Sequence, residues 1–293
     1  MITKRLTVLV GPPGSGKSTL AREYCAKGGV TYINQDSQGK DHLSFFHVAI
    51  CKGDDIIVDR MGFNKAQRER YIKPAKEAGY YIHIIVLHQP YSVCLERIRA
   101  RKDHETIKDE QSARAALATF FGKYERPQED EADKVDFRYP EGAKDLAIIC
   151  DLDGTLCKLD HRLHFVRRPE GERKDWKSFF EHLDKDEINY WCLDILDGLA
   201  DKCKIVFCSG RPDMYRKPTM EWLENKCGFS EPDALFMRPR NDQRDDSIVK
   251  EIILDFEILT RFTPYFMIDD RKRVVEMWRK RGFTCLACAE GDF

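Results

Sequence analysis

Two aspartates separated by one residue stand at the end of an apolar run in the middle of the chain. Residues 147–150 read AIIC, and residues 151–155 read DLDGT. The apolar run predicts a buried strand that delivers Asp151 and Asp153 into a turn. One carboxylate can attack phosphorus to form an aspartyl phosphate, and the second can protonate the leaving oxygen and later activate water. Because two neighbouring carboxylates repel each other, the pair also predicts a bound Mg²⁺.

A glycine-rich loop near the start of the chain predicts a nucleotide site. Residues 11–18 read GPPGSGKS, which matches the P-loop pattern G-x-x-x-x-G-K-[ST] between a predicted strand and a predicted helix. Backbone N–H groups of such a loop surround a phosphate, and the helix N-terminus adds positive potential. Lys17 is expected to reach the β- and γ-phosphates of ATP, and Ser18 to bind Mg²⁺. The residues predicted to hold ATP are Gly11, Gly14, Ser15, Gly16, Lys17, Ser18, Thr19, Arg97 and Arg101.

Three further features favour phosphoryl transfer from this loop. Asp36 follows the second predicted strand, where a general base would lie near the phosphates. Asp59 ends the third strand, in the Walker-B-like position for Mg²⁺ or for an arginine partner. Arg97 and Arg101 share a helix face, and an arginine there can stabilise charge on the transferred phosphoryl group. A solvated helix face explains these arginines about as well, and an ordinary turn or helix cap would explain Asp36.

The elements that carry these residues alternate between strands and helices. Strands are predicted at 5–10, 30–33, 55–58, 80–87, 147–150, 204–208, 265–268 and 283–289. Helices are predicted at 17–27, 65–78, 92–101 and 271–281. This order predicts an α/β protein with parallel sheets covered by helices. The charged segment 128–143 contains prolines and a glycine, and we interpret it as the end of the first domain and a short linker.

Length, charge and cysteine content indicate the number of domains, the charge of the substrate and the location of the protein. A length of 293 residues suits two domains, here 1–140 and 145–293. The first 140 residues hold 23 Lys and Arg against 19 Asp and Glu (+4), and the remainder 26 against 31 (−5). These charges suit a polyanionic substrate and a carboxylate-rich metal site, although each alone is weak. No apolar run of about 18 residues predicts a membrane span, and eleven cysteines without a paired framework indicate reduced thiols and a cytoplasmic location.

The DLDGT sequence at 151–155 resembles the D-x-D-G-T signature of the haloacid dehalogenase superfamily. The other motifs of that superfamily are matched in order by Ser209, Lys250 and the pair Asp269 and Asp270. A P-loop kinase followed by such a phosphatase in about 300 residues is similar to the phage polynucleotide kinase/3′-phosphatase family. That similarity runs along the whole chain and is most specific at 264–282 and 291–293.

The resemblance implies a nucleic-acid end-healing enzyme with a P-loop kinase domain and a Rossmann-like, haloacid dehalogenase-type phosphatase domain. The first would phosphorylate the 5′-OH of RNA or DNA with ATP, and the second would remove a 3′-phosphate or a 2′,3′-cyclic phosphate before a polynucleotide ligase seals the ends. It also implies a location in the cytoplasm, that of the host cell if phage-encoded, and leaves a homo-oligomer open. The implied catalytic residues are Lys17, Asp36, Arg101, Asp151, Asp153 and Lys250. The implied substrate contacts are Asp59, Arg162, Ser209, Gly210, Arg211 and Asp246, and the implied Mg²⁺ ligands are Ser18, Asp151, Asp153, Asp269 and Asp270.

One departure from the family's sequence pattern and two alternative functions remain open. The family arginine that engages the acceptor phosphate aligns with Gly39, beside Lys40, and lysine lacks the bidentate fork of arginine; acceptor preference is therefore undecided. A kinase/phosphatase acting on a small metabolite, or an end-binding module with inactive sites, would share the same motifs, although the intact catalytic residues disfavour the module. Segment 157–190 fits either a cap-like surface that stacks bases or a helix with a buried aromatic face.

Single substitutions are expected to separate the two activities. Asp36→Asn should abolish phosphoryl transfer to a 5′-OH and leave 3′-phosphate release intact, because it removes only the predicted base of the first site. Asp151→Asn should do the reverse, because it removes only the predicted nucleophile of the second site. Both activities are measured on each variant. If either change silences both activities in a folded protein, the two-site interpretation is wrong.

Overall fold

The computed structural model describes residues 4–100, 109–169, 171–230 and 235–291. The chain divides into two compact units, Met1–Glu141 and Gly142–Phe293. Each unit contains a parallel sheet flanked by helices, so the predicted α/β class is confirmed. Among the helices in the described residues, none combines the length and the apolar character needed to cross a membrane.

The first unit is built on a five-stranded parallel sheet. Its strands are β1 (Arg5–Val10), β2 (Val30–Asn34), β3 (Asp55–Asp59), β4 (Tyr81–Leu87) and β5 (Lys134–Arg138). Their spatial order is β2-β3-β1-β4-β5. β1 lies in the centre and is buried along nearly its whole length, as expected for a Val- and Leu-rich strand covered on both faces. Because all strands are parallel, their carboxyl ends meet at one edge of the sheet.

The helices of the first unit connect these strands. They are α1 (Lys17–Ala26), α2 (Gln35–Gln38), α3 (His42–Lys52), α4 (Lys65–Glu77), α5 (Tyr91–Arg99) and α6 (Glu110–Lys123), with 3₁₀ turns at Gly39–Asp41 and Glu129–Glu131. Local capping explains several of their starts. The Asn64 side chain accepts the N–H of Gln67 at the start of α4, and Asp109 and Ser112 form a reciprocal capping box at the start of α6.

The segment 128–143 does more than link the two units. It contains β5, which pairs with β4 and forms one edge of the first sheet. β5 has five residues, KVDFR, that are exposed at both ends and half-buried between them. A short edge strand is rich in charge because its outer side faces water, and for this reason its composition resembles that of a linker.

A buried ion pair ties the connection before β5 to α4. Arg68 donates from Nε and Nη2 to the two carboxylate oxygens of Glu131, each at 2.7 Å. Its Nη1 donates to the carbonyl oxygens of Gly62 and Glu125, both at 3.0 Å. The Arg68 side chain has no exposed surface and that of Glu131 is 3% exposed. This single guanidinium therefore joins three segments of the first unit.

The second unit contains a second five-stranded parallel sheet. Its strands, in the spatial order β10-β9-β6-β11-β12, are β6 (Asp145–Cys150), β9 (Lys204–Pro212), β10 (Leu235–Arg238), β11 (Phe262–Arg271) and β12 (Cys285–Gly291). A small antiparallel pair, β7 (Cys157–Lys158) with β8 (Glu187–Ile188), lies outside this sheet. The helices are α7 (Trp176–Glu181), α8 (Tyr190–Asp197), α9 (Arg216–Cys227), α10 (Asp246–Ile253) and α11 (Lys272–Lys280).

Apolar cores cover both faces of the second sheet. Alternate residues of β6 enter opposite cores: Ile148 packs in one and Ile149 in the other, as the two-residue period of a strand requires. Phe179 and Phe180 of α7 belong to the first of these cores, whereas Trp176 keeps 41% of its surface exposed. For α7 the geometry therefore favours the buried aromatic face over the base-stacking surface.

Removal of the buried charge on Glu131 is expected to destabilise the first unit. Glu131→Gln leaves the Arg68 guanidinium buried without its ionic partner, which costs about 3–5 kcal/mol. All four tryptophans lie in the second unit, so urea unfolding followed by far-UV circular dichroism reports both units, while tryptophan fluorescence reports only the second. The dichroism midpoint should fall while the fluorescence midpoint stays. The control is Glu110→Gln, the same change in an exposed ion pair, and equal midpoints in the two variants would contradict the assignment.

Candidate active sites

A pocket at the carboxyl edge of the first sheet brings together the residues predicted for nucleotide binding and transfer. The loop 11–16 follows β1, Asp36 lies in α2 directly after β2, and Asp59 is the last residue of β3. The side chains and backbone on its walls include those of Gly14, Gly16, Lys17, Ser18, Gln35, Asp36, Asp59 and Arg60. Arg60, which sequence reasoning did not single out, adds a cationic group to this wall.

Backbone geometry explains the glycines of the loop. Gly14 and Gly16 have φ angles of +84° and +100°, a left-handed region that favours glycine. A Cβ atom on Gly14 would lie 2.6 Å from the carbonyl oxygen of Cys94, so α5 packs directly against the loop. Lys17 is buried and donates from Nζ to the carbonyl oxygens of Gly11 and Pro12, both at 2.8 Å. The lysine therefore lies along the loop with its ammonium group held at the loop's first residues.

The predicted arginines of this site are described only in part. Arg97 lies in α5, and its Nη1 donates to the carbonyl oxygen of Gly14 at 3.4 Å. This contact places one guanidinium at the phosphate-binding loop. Arg101 lies outside the described residues, so its predicted catalytic role remains a prediction. Gly39 and Lys40 are exposed in the turn after α2.

The predicted nucleophile of the second site lies in a buried cluster of charges. Lys250, in α10, has no exposed surface. Its Nζ lies 2.8 Å from Oδ1 of Asp151, at the end of β6, and donates to Oδ2 of Asp269 at 2.8 Å. Asp270 follows Asp269 on β11, and carboxylate oxygens of Asp151, Asp269 and Asp270 all lie within 4.8 Å of one another. Three elements therefore bring one ammonium group and three carboxylates to one point.

The charges of this cluster do not balance without a further cation. Burial and the neighbouring carboxylates raise the pKa of Asp151 above its usual range, although Lys250 opposes that change. Burial, with the charge of Asp269, raises the pKa of Asp270 to about 7. Carboxylate oxygens are the ligands that Mg²⁺ prefers. The donor set therefore fits a divalent cation, which would favour the ionised form of all three side chains.

The second aspartate of the motif has different neighbours. Asp153 accepts hydrogen bonds from Arg162 Nη2 at 2.5 Å and from Arg211 Nη2 at 2.6 Å. Burial would raise the pKa of Asp153, but the guanidiniums of Arg211 and Arg162 hold it well below its usual range. Its carboxylate groups with Cys157 and Asp186 rather than with the cluster at Asp151. The Mg²⁺ role predicted for Asp153 remains a prediction.

Asp186 is the part of this arrangement that sequence reasoning missed. It is 1% exposed, and its two oxygens accept from Arg162 Nε at 2.6 Å, from Arg162 Nη2 at 2.5 Å and from Arg211 Nη2 at 2.8 Å. It therefore fixes both guanidiniums that contact Asp153. No motif marks Asp186, and its pairing with two buried arginines from other segments is a tertiary contact that no sequence pattern signals.

Gly154 and Gly210 each lie so close to a carboxylate group that any side chain at these positions would clash with it. A Cβ atom on Gly154 would lie 2.2 Å from Oδ2 of Asp270, and one on Gly210 would lie 2.4 Å from Oδ1 of Asp246. Ser209 is fully buried at the carboxyl end of β9, and its Oγ accepts the N–H of Arg211 at 3.2 Å. The two glycines therefore let the backbone pass directly beside the carboxylates of Asp270 and Asp246.

Asp246 binds two further arginines that the sequence did not indicate. Its Oδ1 accepts from Arg238 Nη2 at 2.9 Å, and its Oδ2 accepts from Arg271 Nη1 at 3.1 Å. Lys250 Nζ lies 3.8 Å from the same Oδ2. Asp246 therefore holds cations on both sides, and the predicted substrate role of Asp246 stays a prediction.

The folds and sites described above define an α/β phosphoryl-transfer protein with two separate centres. Residues 145–293, half of the chain, match the family described as "Polynucleotide kinase PNKP phosphatase domain", and the chain belongs to that family. Residues 40–127 match an AAA domain family, a segment that follows the phosphate-binding loop. The resemblance to polynucleotide kinase/phosphatases that the sequence indicated is thereby confirmed.

Individual relatives agree with this family. One relative is a "Putative bifunctional polynucleotide kinase/RNA ligase" of Autographa californica nuclear polyhedrosis virus, which is 26% identical over an alignment 316 positions long. The alignment covers 94% of this chain and 41% of the relative. The chain is 32% identical over 90 residues to a "Putative bifunctional polynucleotide phosphatase/kinase" of Acanthamoeba polyphaga mimivirus, covering 30% of this chain and 21% of the relative. The chain therefore spans less than half the length of either relative.

A solved structure of similar extent was also found. A chain of the "Pnkp1/Rnl/Hen1 RNA repair complex" aligns with 99% of this chain and 97% of its own length, at 22% identity and a TM-score of 0.43.

Neutralisation of Asp186 is expected to reduce phosphatase activity without touching the predicted nucleophile, Asp151. Asp186→Asn leaves Arg162 and Arg211 with one carboxylate between them, so both guanidiniums and the Asp153 they hold should shift. A displacement of about 1 Å at a catalytic group costs roughly 100-fold in rate. The measurement is kcat for 3′-phosphate release, with 5′-phosphorylation as the readout of the other unit. Asp184→Asn is the control, because Asp184 is exposed. A wild-type kcat in Asp186→Asn would rule out the positioning role.

Proposed function

We propose that the chain is a bifunctional nucleic-acid end-healing enzyme. The first unit transfers the γ-phosphoryl group of ATP to the 5′-OH of a polynucleotide, and the second removes a 3′-phosphate or a 2′,3′-cyclic phosphate. The observation that carries this proposal is a separate P-loop pocket, with Lys17, Asp36 and Asp59 on its walls, in a chain of the polynucleotide kinase phosphatase family. A phosphatase acting alone has no need of that pocket.

In the first unit, Asp36 is the general base that takes the proton of the 5′-OH as its oxygen attacks the γ-phosphorus of ATP. Lys17 balances negative charge on the phosphates. The hydroxyl of Ser18 and the carboxylate of Asp59 supply hard oxygen donors on the same pocket wall, and this set fits Mg²⁺. When bound, the ion neutralises phosphate charge. Arg97 and Arg101 are the arginines proposed to hold the donor phosphates.

In the second unit, Asp151 attacks the 3′-phosphate while the bond from phosphorus to the 3′-oxygen breaks and Asp153 gives a proton to that oxygen. The protonated form of Asp153 needed for this step is favoured by the anionic phosphate beside it. Asp153 then takes a proton from water, which attacks the aspartyl phosphate and releases phosphate. Lys250 and Ser209 contribute positive charge and a hydrogen bond at the reacting group, and Asp269 and Asp270 with Asp151 would hold Mg²⁺, which adds further charge neutralisation.

The proposed substrates and partners follow from this chemistry. RNA or DNA ends that carry a 5′-OH and a 3′-phosphate are the substrates, and the net charge of +4 on residues 1–140 favours a polyanion. The products suit a polynucleotide ligase, and the name of one relative joins a polynucleotide kinase to an RNA ligase in one chain. A cytoplasmic location is consistent with cysteines that are free thiols. Homo-oligomer formation remains a prediction.

The test uses a short RNA with a 5′-OH and a 3′-phosphate, Mg²⁺ and γ-labelled ATP. We expect label to appear at the 5′ end and phosphate to leave the 3′ end, each followed separately. A 5′-OH oligonucleotide should outcompete nucleosides and sugars as the phosphate acceptor, because the site is proposed to recognise a polynucleotide. Phosphate loss without label transfer, or equal transfer to a nucleoside or sugar, would favour the small-metabolite kinase instead.

A further inference from the structure

We propose that Tyr32 and Asn34 are positioning residues of the kinase site: their hydrogen bonds to each other and to Asp59 hold the backbone that carries Asp36. This inference rests on the proposed function, because it assigns roles within the same site. Neither residue belongs to the phosphate-binding loop, and the sequence analysis singled out neither of them. Tyr32 and Asn34 lie on β2, and Asn34 is the register partner of Asp59 on β3.

The hydrogen bonds of Tyr32 determine where its neighbours place their protons. The Tyr32 hydroxyl lies 2.8 Å from Oδ2 of Asp59 and 2.8 Å from Nδ2 of Asn34. A phenol has one proton to donate and a carboxylate can only accept, so that proton goes to Asp59. Asn34 Nδ2 must then donate to the phenolic oxygen.

Asn34 transmits the same constraint to the general base. Its Nδ2 donates to Oδ2 of Asp59 at 3.0 Å as well as to Tyr32. Its Oδ1 accepts the backbone N–H groups of Asp36 at 2.7 Å and of Ser37 at 3.2 Å, which caps α2. Both amide protons and both oxygen lone pairs are used, so only one orientation of the amide satisfies every bond. The backbone of Asp36 is thus held at a fixed distance from Asp59 and Tyr32.

The first arm of the test removes the Tyr32 hydroxyl. In Tyr32→Phe, kcat for 5′-phosphorylation should fall about tenfold, since the hydrogen bonds that join Asn34 and Asp59 through the phenol are lost, while KM for ATP stays unchanged. The matched control is Tyr80→Phe: Tyr80 is buried in the same unit, and its hydroxyl donates to the carbonyl oxygen of Asp54 at 3.0 Å. An unchanged kcat in Tyr32→Phe, or an equal loss in Tyr80→Phe, overturns the role given to Tyr32.

The second arm separates positioning of the base from nucleotide binding. Asn34→Ser keeps an oxygen that can cap α2 but removes both N–H donors. We expect kcat for 5′-phosphorylation to fall about 100-fold, with KM for ATP and the 3′-phosphatase rate unchanged. Asn64→Ser makes the same change at the cap of α4 and should keep wild-type kcat. Equal kcat values in the two variants, or a rise in KM for ATP that accounts for the whole effect in Asn34→Ser, would refute the role given to Asn34.

Failure of this inference differs from failure of the proposed function. If the wild-type protein transfers phosphate to no 5′-OH oligonucleotide, the proposed function fails, and with it the roles of Tyr32 and Asn34 in positioning a base. If the wild-type protein is an active kinase and both variants behave as their controls do, only the positioning inference is lost.

Discussion

Lys250 lies between Asp151 and Asp269, with its ammonium nitrogen 2.8 Å from a carboxylate oxygen of each. All three side chains are buried, and a buried charge is tolerated only when it is paired. The second unit is organised around that requirement. The positive charge of Lys250 partly balances the negative charge of the carboxylates at the ends of β6 and β11. The guanidiniums of Arg162 and Arg211 balance the carboxylates of Asp153 and Asp186. Lys250 alone does not balance the three carboxylates of Asp151, Asp269 and Asp270, and their oxygens fit a divalent cation.

In both units, parallel strands bring the predicted site residues together at one edge of the sheet. Side chains that act on one phosphate must converge, and the carboxyl ends of parallel strands converge at one edge of a sheet. In the first unit this edge carries the P-loop, Asp36 and Asp59, and in the second it carries Asp151, Ser209 and Asp269. The units differ in the exposure of their proposed catalytic carboxylates. The proposed nucleophile of the second, Asp151, is buried, whereas the proposed base of the first, Asp36, is exposed, as suits a base that must meet a large acceptor.

Motifs with fixed spacing at strand ends could be predicted from the sequence. The P-loop, the D-x-D pair and the aspartates that end β11 each follow an apolar strand, so their neighbours in space follow from the fold class. All eight predicted strands are present within a few residues. The edge strand β5 escaped prediction because its alternation of polar and apolar residues spans only five positions, inside a charged segment that resembles a linker. Asp186 and the contacts of Tyr32 and Asn34 escaped because they depend on side chains that meet across elements, and no local pattern encodes such meetings.

One chain is proposed to carry two phosphoryl-transfer sites that work independently. The most direct test mixes Asp36→Asn and Asp151→Asn in equal amounts with ATP, Mg²⁺ and an RNA that has a 5′-OH and a 3′-phosphate. Each variant should process only one end, and the mixture should produce RNA with a 5′-phosphate and a 3′-OH at about half the rate of the same total amount of wild-type protein, because half of the molecules carry each intact site. A mixture of folded variants that fails to process both ends would contradict the account.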